Sequence, residues 1–292
     1  MKLSIVILSY NTKDLTLSCI KSVISQYKKE IDEKEVEIIV VDNNSHDISV
    51  GEIRNYISSI KYEEKISLIE SKENLGFGGG CNLGAKSAKG KDLLFLNSDT
   101  EVLGKGFLSM TEFLEKNLEI GILGGKIVND DGSVQKSCGK FYSLFNLLIA
   151  LLGLERFGFL RSSPSVIEKV DWVSGACMMF KENVFVKLGG FDEKMFMYME
   201  DMEICLRAKE IGFLTYFYPD LSLKHKSHGS SNRTFAIINI YKGILYFYSK
   251  HKTHQEYLIA KFLLYVKARI LIIVGFLTFN YDLRDRYRKA IA

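Results

Sequence analysis

Proline is scarce: Pro164 and Pro219 are the only two in 292 residues, which argues against a proline-rich linker between modules. Cysteine is nearly as sparse. Cys19, Cys81, Cys138, Cys177 and Cys205 are odd in number, scattered, and form no CxxC pair. That fits neither a disulfide framework nor a cysteine zinc site, and it points to a reducing compartment. An excess of one charge is missing too, since the net charge is only +4. No nucleic-acid partner is expected from such a balance, although it would help the protein sit beside anionic lipid or phosphate. Nor is there a long hydrophobic run. The opening MKLSIVILSYN stops at Ser9-Tyr10-Asn11 without a small-residue cleavage pattern, so it reads as a buried strand and not as a secretory leader.

What is present suffices for a core. Hydrophobic residues make up 47% and charged residues 25%, which sets global disorder aside. Four short apolar runs, at 3–9, 36–42, 66–70 and 92–97, have the length and β-branched content of buried strands. Between the first two, Leu17, Ile20, Val23, Ile24 and Tyr27 recur at helical spacing behind Asn11 or Thr12 as an N-cap. The alternation predicts βαβ units, and so an α/β fold with a mostly parallel sheet flanked by helices. Past residue 100 the pattern turns α+β, with a helix expected over 106–118 that buries Phe107, Met110, Phe113 and Leu114. From about 233 onward the chain reads as a helical appendage rich in aromatics and lysines.

The polar residues beyond the strands carry more information. The four runs lead into SYN (9–11), DNNS (42–45), EN (73–74) and NSDT (97–100). Each is ordinary turn chemistry. Four in succession suit a site at the carboxyl ends of the strands, where open parallel sheets bind ligands. The composition fits sugar hydroxyls, a nucleobase edge or a metal.

Several motifs leave alternatives open. NLGFGGGCNLG (74–84) fails the dinucleotide fingerprint, with Cys81 in the sixth place, and has no GK[ST]. It is a flexible loop or a backbone brought close to a nucleotide. Asp99 is part of an Asx-turn or holds Mg²⁺ or Mn²⁺ beside substrate phosphates. His225 and His228, three apart, are weak as a zinc pair. In FDEKMFMYMEDMEICLRAKEIGF (191–213), Glu200, Asp201 and Glu203 fall on a helix. Met197 and Cys205 lie one turn either side of Asp201, and Glu203 faces Arg207 at i+4. These acids cap and bridge the helix, or one of them is a base tuned by burial.

Taken in order, SIVILSYN (4–11), VVDNNSHD (40–47), NLGFGGGCNLG, LFLNSDT (94–100), WVSGACMMF (172–180), GGFDEKMFMYMEDMEICLRAKEIGF (189–213) and HKSHGSS (225–231) resemble the family 2 glycosyltransferases. The likeness is greatest to their bacterial rhamnosyltransferase-like branch. It covers residues 1–232, which it implies are a GT-A catalytic domain, with 233–292 as the helical region. The resemblance implies an inverting transferase that uses a dTDP- or UDP-sugar donor and Mn²⁺ or Mg²⁺. It places Ser9, Tyr10, Asn11, Asp42, Asn44, Asn74, Gly76, Asn97 and Ser98 at the nucleotide. Asn97 stands where the family's first metal-binding aspartate would be, leaving Asp99 as ligand, with His225 or His228 beside it. Trp172, Gly175, Ala176 and Glu200 would line the donor sugar and acceptor, and Asp201 would be the catalytic base.

The acceptor implied is a glycan or a polyprenyl-linked glycan of bacterial surface polysaccharide. Alternatives are a UDP-hexose or UDP-N-acetylhexosamine transferase, or a catalytically silent sugar-nucleotide-binding scaffold. Lys261, Lys267 and Arg269 interrupt the apolar tail at 257–279, so it packs on the domain or lies along a membrane surface. The expected location is cytoplasmic, at the inner face of the membrane, and a homo-oligomer is left open.

Overall fold

The computed structural model describes residues 1–226 and 232–291, apart from the side chains of residues 156 and 157. The four anticipated runs form β1 (Leu3–Ser9), β2 (Val36–Asp42), β3 (Ile66–Glu70) and β4 (Asp92–Asn97). They lie parallel in the order β4-β1-β2-β3. Every residue of β2 is buried, and all of β1 but Leu8, as strands covered on both faces must be. Alternate side chains enter opposite cores. Val6, Ile39, Val41 and Phe95 share one apolar cluster, and Ile5, Ile7, Ile38, Val40 and Leu94 the other. The helices α1 (Lys13–Asp32) and α2 (Ser49–Ser59) cover the second cluster through residues such as Ile20, Val23 and Ile53.

The glycine-rich segment is not a flexible loop: it forms the helix α3 (Gly76–Ala85). Its glycines serve close packing. Gly76 has φ +72°, and a Cβ there would stand 2.1 Å from the Phe196 carbonyl oxygen. A Cβ at Gly84 would stand 2.5 Å from the Val6 side chain on β1. The helix is thereby pressed against the sheet and against the loop that leads to the acidic cluster.

The chain continues through β5 (Thr100–Val102), α4 (Phe107–Lys116), β6 (Ile120–Val128), β7 (Val134–Gln135) and β8 (Cys138–Gly139). Next come α5 (Leu144–Leu151), a 3-10 turn (Leu154–Phe157), β9 (Arg161–Ser162), β10 (Glu168–Val170), β11 (Trp172–Val173) and β12 (Cys177–Lys181). The sheet is mixed on this side, because β12 runs antiparallel to both β4 and β6. Cys177 pairs with Leu96, so β12 starts at the carboxyl end of β4 and leaves the segment before it, 172–176, at the ligand-binding edge. Strands β8, β9 and β11 form a small second sheet there.

After α6 (Glu182–Leu188), α7 (Glu200–Glu210) and β13 (Leu214–His225), three helices end the chain: α8 (Arg233–His251), α9 (His254–Leu277) and α10 (Tyr281–Ala290). Tyr241, Ile244 and Phe247 of α8 share an apolar cluster with Met202, Ile204 and Cys205 of α7. No described helix is long and apolar enough to cross a membrane.

Candidate active site

Register brings the strand ends level. Ser9 lies opposite Asp42, Asp42 opposite Glu70, and Leu8 opposite Asn97. Asp42 accepts a hydrogen bond at Oδ2 from the Ser45 N–H (2.9 Å), while its buried Oδ1 has no partner. Asn11 binds the next loop twice, donating its N–H to Ser45 Oγ and accepting at Oδ1 from the His46 N–H, each at 2.8 Å. Asn11 and Asn44 both take left-handed backbone, φ 52° and 67°, which Asn tolerates best among non-glycine residues. Tyr10 is exposed beside His46.

Ser9 is fully buried and shares its hydroxyl with Thr16 (2.9 Å), and buried Ser98 meets Thr12 at 3.0 Å. Both hydroxyls are held by side chains of the first helix and the residue that precedes it. A residue not anticipated, Asn43, holds the strand-three end: its amide donates to Asn74 Oδ1 and to the Gly76 carbonyl, both at 3.0 Å, and accepts from the Leu75 N–H. Its signal was its place in DNNS.

Asp99 and His225 meet although 126 positions separate them. β13 pairs with β5 so that His225 faces Thr100, and the Lys226 N–H donates to the Asp99 carbonyl at 3.0 Å. His225 Nε2 stands 3.2 Å from Asp99 Oδ1, yet that buried oxygen accepts no hydrogen bond. Gln135 explains the mismatch. Its amide nitrogen donates to Asn129 Oδ1 and to the His225 carbonyl, so its Oε1 is the atom 3.0 Å from His225 Nδ1. An acceptor there puts the ring proton on Nδ1. In the neutral ring, Nε2 then presents a lone pair to a carboxylate, an arrangement that favours a cation between them. No cluster of three or more His, Cys, Asp or Glu occurs among the described residues, so further ligands would have to come from substrate or water. His228 lies outside the described residues.

Asp201 is the second residue of α7. The helix begins at Glu200, so Met197 is not on it as the spacing had implied. Tyr198 and Met199 instead take left-handed backbone, φ 69° and 74°, a conformation rarely kept without a reason. Asp201 Oδ1 accepts from the Met202 N–H at 2.8 Å, and Oδ2 from the Gly175 N–H at 3.3 Å. Burial raises the Asp201 pKa, while those two N–H groups and Arg161 oppose the rise. Glu200 is buried with Oε2 unpartnered. Burial pushes its carboxyl well above the usual range, and Asp201 pushes it further. The charge of the pair therefore resides on Asp201 and the proton on Glu200.

That proton has a stability consequence. A pKa raised in the folded state gives stability that is full below the ordinary value of 4.5 and is lost as pH rises above it. Glu200→Gln copies the protonated form, so its melting temperature should match wild type near that value and exceed it by several degrees at about pH 8. Thermal melts across this range decide it, and a variant less stable at pH 8 would contradict the assigned protonation.

Asn97, Asp99, His225, Glu200 and Asp201 line one cleft of about 870 Å³ with Trp172, Gly175 and Ala176. The Trp172 Nε1–H donates to the Lys140 carbonyl at 3.1 Å. Lys136, Arg161 and Arg233 add positive charge to the cleft walls, and none was flagged by a motif. The Arg161 guanidinium lies 5.3 Å from the Trp172 ring centroid. Glu203 does not reach the cleft: it is fully buried and pairs with Arg207 (2.8 Å), Lys250 (2.8 Å) and His251 (3.0 Å).

Residues 4–189 match the Glycosyl transferase family 2 model. A low-salt glycan biosynthesis hexosyltransferase of Haloferax volcanii is 30% identical over 64% of this chain and 60% of its own length. The chain thus spans less than two thirds of that relative. An N-acetylglucosaminyl-diphospho-decaprenol L-rhamnosyltransferase of Mycobacterium tuberculosis is 27% identical over 68% of this chain and 69% of the relative. Among solved structures, GalNAc-T7 with UDP, GalNAc and Mn²⁺ aligns at TM-score 0.62 and 17% identity, covering 85% of this chain and 50% of that one. A mannosyltransferase of Pyrobaculum calidifontis with GDP-Man and Mn²⁺ aligns at 0.60 and 15% identity, covering 99% and 85%. The fold is GT-A, and the chain belongs to glycosyl transferase family 2.

Proposed function

We propose that the chain is an inverting, metal-assisted hexosyltransferase of bacterial surface polysaccharide synthesis, with rhamnose the first candidate sugar. The donor is a dTDP- or UDP-sugar, and the acceptor is a glycan or a polyprenyl-linked glycan. One observation carries the reading: Asp201, pinned by the Gly175 N–H, lines the same cleft as the Asp99–His225 pair. The names of the relatives, one a hexosyltransferase and one a rhamnosyltransferase acting on a decaprenyl-linked sugar, support the substrate class.

Asp201 accepts the proton of the acceptor hydroxyl as that oxygen bonds to the anomeric carbon. The bond from that carbon to the diphosphate breaks on the opposite face, which inverts the centre. Asp99 and His225 would hold Mn²⁺ or Mg²⁺, which when bound neutralises charge on the leaving diphosphate. Lys136, Arg161 and Arg233 supply further positive charge to the cleft. Unpartnered Asp42 Oδ1 offers an acceptor for a base N–H, and Trp172 and Ala176 wall the sugar sites. Residues 1–232 form the catalytic unit and 233–292 the helical region, working at the cytoplasmic face of the membrane.

A thermal-shift screen of nucleotide sugars with and without Mn²⁺ tests the donor class, and Mn²⁺-dependent donor hydrolysis would exclude a silent scaffold. UDP-hexose and UDP-N-acetylhexosamine are the competing donors in that screen. Asp99→Ala should weaken Mn²⁺-dependent nucleotide binding by about 10- to 100-fold, given that even outer-shell ligand partners matter this much. Unchanged Mn²⁺ dependence would refute the metal assignment.

A further inference from the structure

Transfer chemistry leaves one large surface without a use. Helix α9 is mostly apolar, and only one seam of it, Ala260, Leu264, Ala268 and Gly275, is buried. On its outward side Leu258, Phe262, Tyr265, Ile273 and Phe276 are 43–66% exposed. Their separations of four, three, eight and three residues keep them on one face. A helix of a soluble protein turns such a stripe towards a core. α5 packs against α9 and exposes Phe145, Leu148 and Leu152, again at spacings of three and four. Phe159, just past the 3-10 turn, is also exposed.

Charge selects the occupant. Residues 252–292 hold eight Lys and Arg against three Asp and Glu, whereas residues 1–251 hold 31 against 32. The basic excess of the chain therefore sits on the helices that carry the apolar face. Arg269 stacks on Tyr265 within the stripe, 4.8 Å from the ring centroid, and Lys261 adjoins Phe262. Interfaces between protein copies are depleted in lysine and acids at their centres. Helices at a bilayer surface instead interleave aromatics with Lys and Arg whose heads reach the phosphates. α10 adds Arg284, Arg286, Arg288 and Lys289.

We infer that α5 and α9 form a docking face that embeds in the surface of an anionic bilayer, with the basic residues of α9 and α10 at headgroup level. The face adjoins the cleft, because Arg161 of the cleft wall follows Phe159 by two residues. Docking brings the cleft close to headgroup depth, where a lipid-linked diphosphate would be presented. The inference gives a surface to the membrane placement above, but it does not depend on glycosyl transfer. Its failure would leave the active-site reading untouched.

Co-sedimentation of the full chain with phosphatidylcholine vesicles, with and without phosphatidylglycerol, is the test. Binding is expected to the anionic vesicles and to weaken with salt. Phe262→Glu combined with Ile273→Glu should lower it at least about tenfold, since charged side chains on an embedded face are costly. Phe145→Glu on α5 provides an independent reading should the double variant fold poorly. Leu118→Glu, at an exposed apolar site away from these helices, should bind as wild type does. Equal binding by all variants would overturn the inference, as would equal binding to neutral vesicles. Concentration-dependent self-association that the double variant abolishes, with no vesicle binding, would assign the face to a second copy.

Discussion

Asp201→Asn is expected to fold and to bind nucleotide sugar as wild type does, while the rate of transfer falls by roughly 10²- to 10⁴-fold, the usual worth of a positioned base. The substitution keeps the shape of the side chain and one of the two acceptors for the Met202 and Gly175 N–H groups. It removes the carboxylate oxygen proposed to take the acceptor proton. Stability should change little, because the lost hydrogen bond is offset by relief of burying a charge, the force that raises the Asp201 pKa. The loss should therefore appear in kcat with the donor KM nearly unchanged, the signature of an interaction made only in the transition state. Steady-state kinetics with donor and acceptor varied separately will show this. Turnover near wild type would move the base elsewhere in the cleft.

The strands were legible because each is a short apolar run: β1 and β2 are Val- and Ile-rich and buried on both faces, and β4 is buried through Leu and Phe. The polar strand ends were legible because four of them follow the buried runs in succession, where open parallel sheets bind ligands. Other features depend on contacts distant in sequence. The glycine-rich segment is a helix whose glycines allow close approach to β1 and to the Phe196 carbonyl, neighbours distant in sequence. The start of α7 is set by left-handed Tyr198 and Met199, whose apolar side chains gave no hint of a break. At the end of β1 the Ser9 hydroxyl is held by Thr12 and Thr16 of the next turn, a pairing that the strand-end pattern does not reveal. Arg161 reaches the cleft through the small sheet of β8, β9 and β11, a topology that no local pattern encodes.

Glu203→Gln should cost about 3–5 kcal/mol of folding stability, the usual consequence of breaking a buried ion pair from one side. The i+4 spacing predicts a pair between Glu203 and Arg207, and full burial of Glu203 raises what is lost when that pair is broken. Glu203 is fully buried, and Arg207, Lys250 and His251 all donate to its carboxylate. Burial alone would raise its pKa, but His251, Arg207 and Lys250 together outweigh it and hold the value at about 2. The same carboxylate therefore joins the helix that carries Asp201 to the last residues of α8. Arg207 also donates to the Leu188 and Gly190 carbonyls, at 2.6 and 2.9 Å, so it cannot turn away to solvent without losing them. With glutamine in place, the Arg207 and Lys250 cations and the His251 ring face a neutral amide that can accept from few of them. A depressed folded pKa gives stability that is complete above about 4.5 and is lost as pH falls towards about 2. Wild type should therefore weaken across that interval, while the variant, already lacking the charge, should show a shallower acid slope. Denaturant titrations at neutral and acidic pH measure both terms. A loss below about 1 kcal/mol would give the cluster the energy of an exposed pair, and the C-terminal helices would then owe their place to the apolar contacts of Tyr241, Ile244 and Phe247 alone.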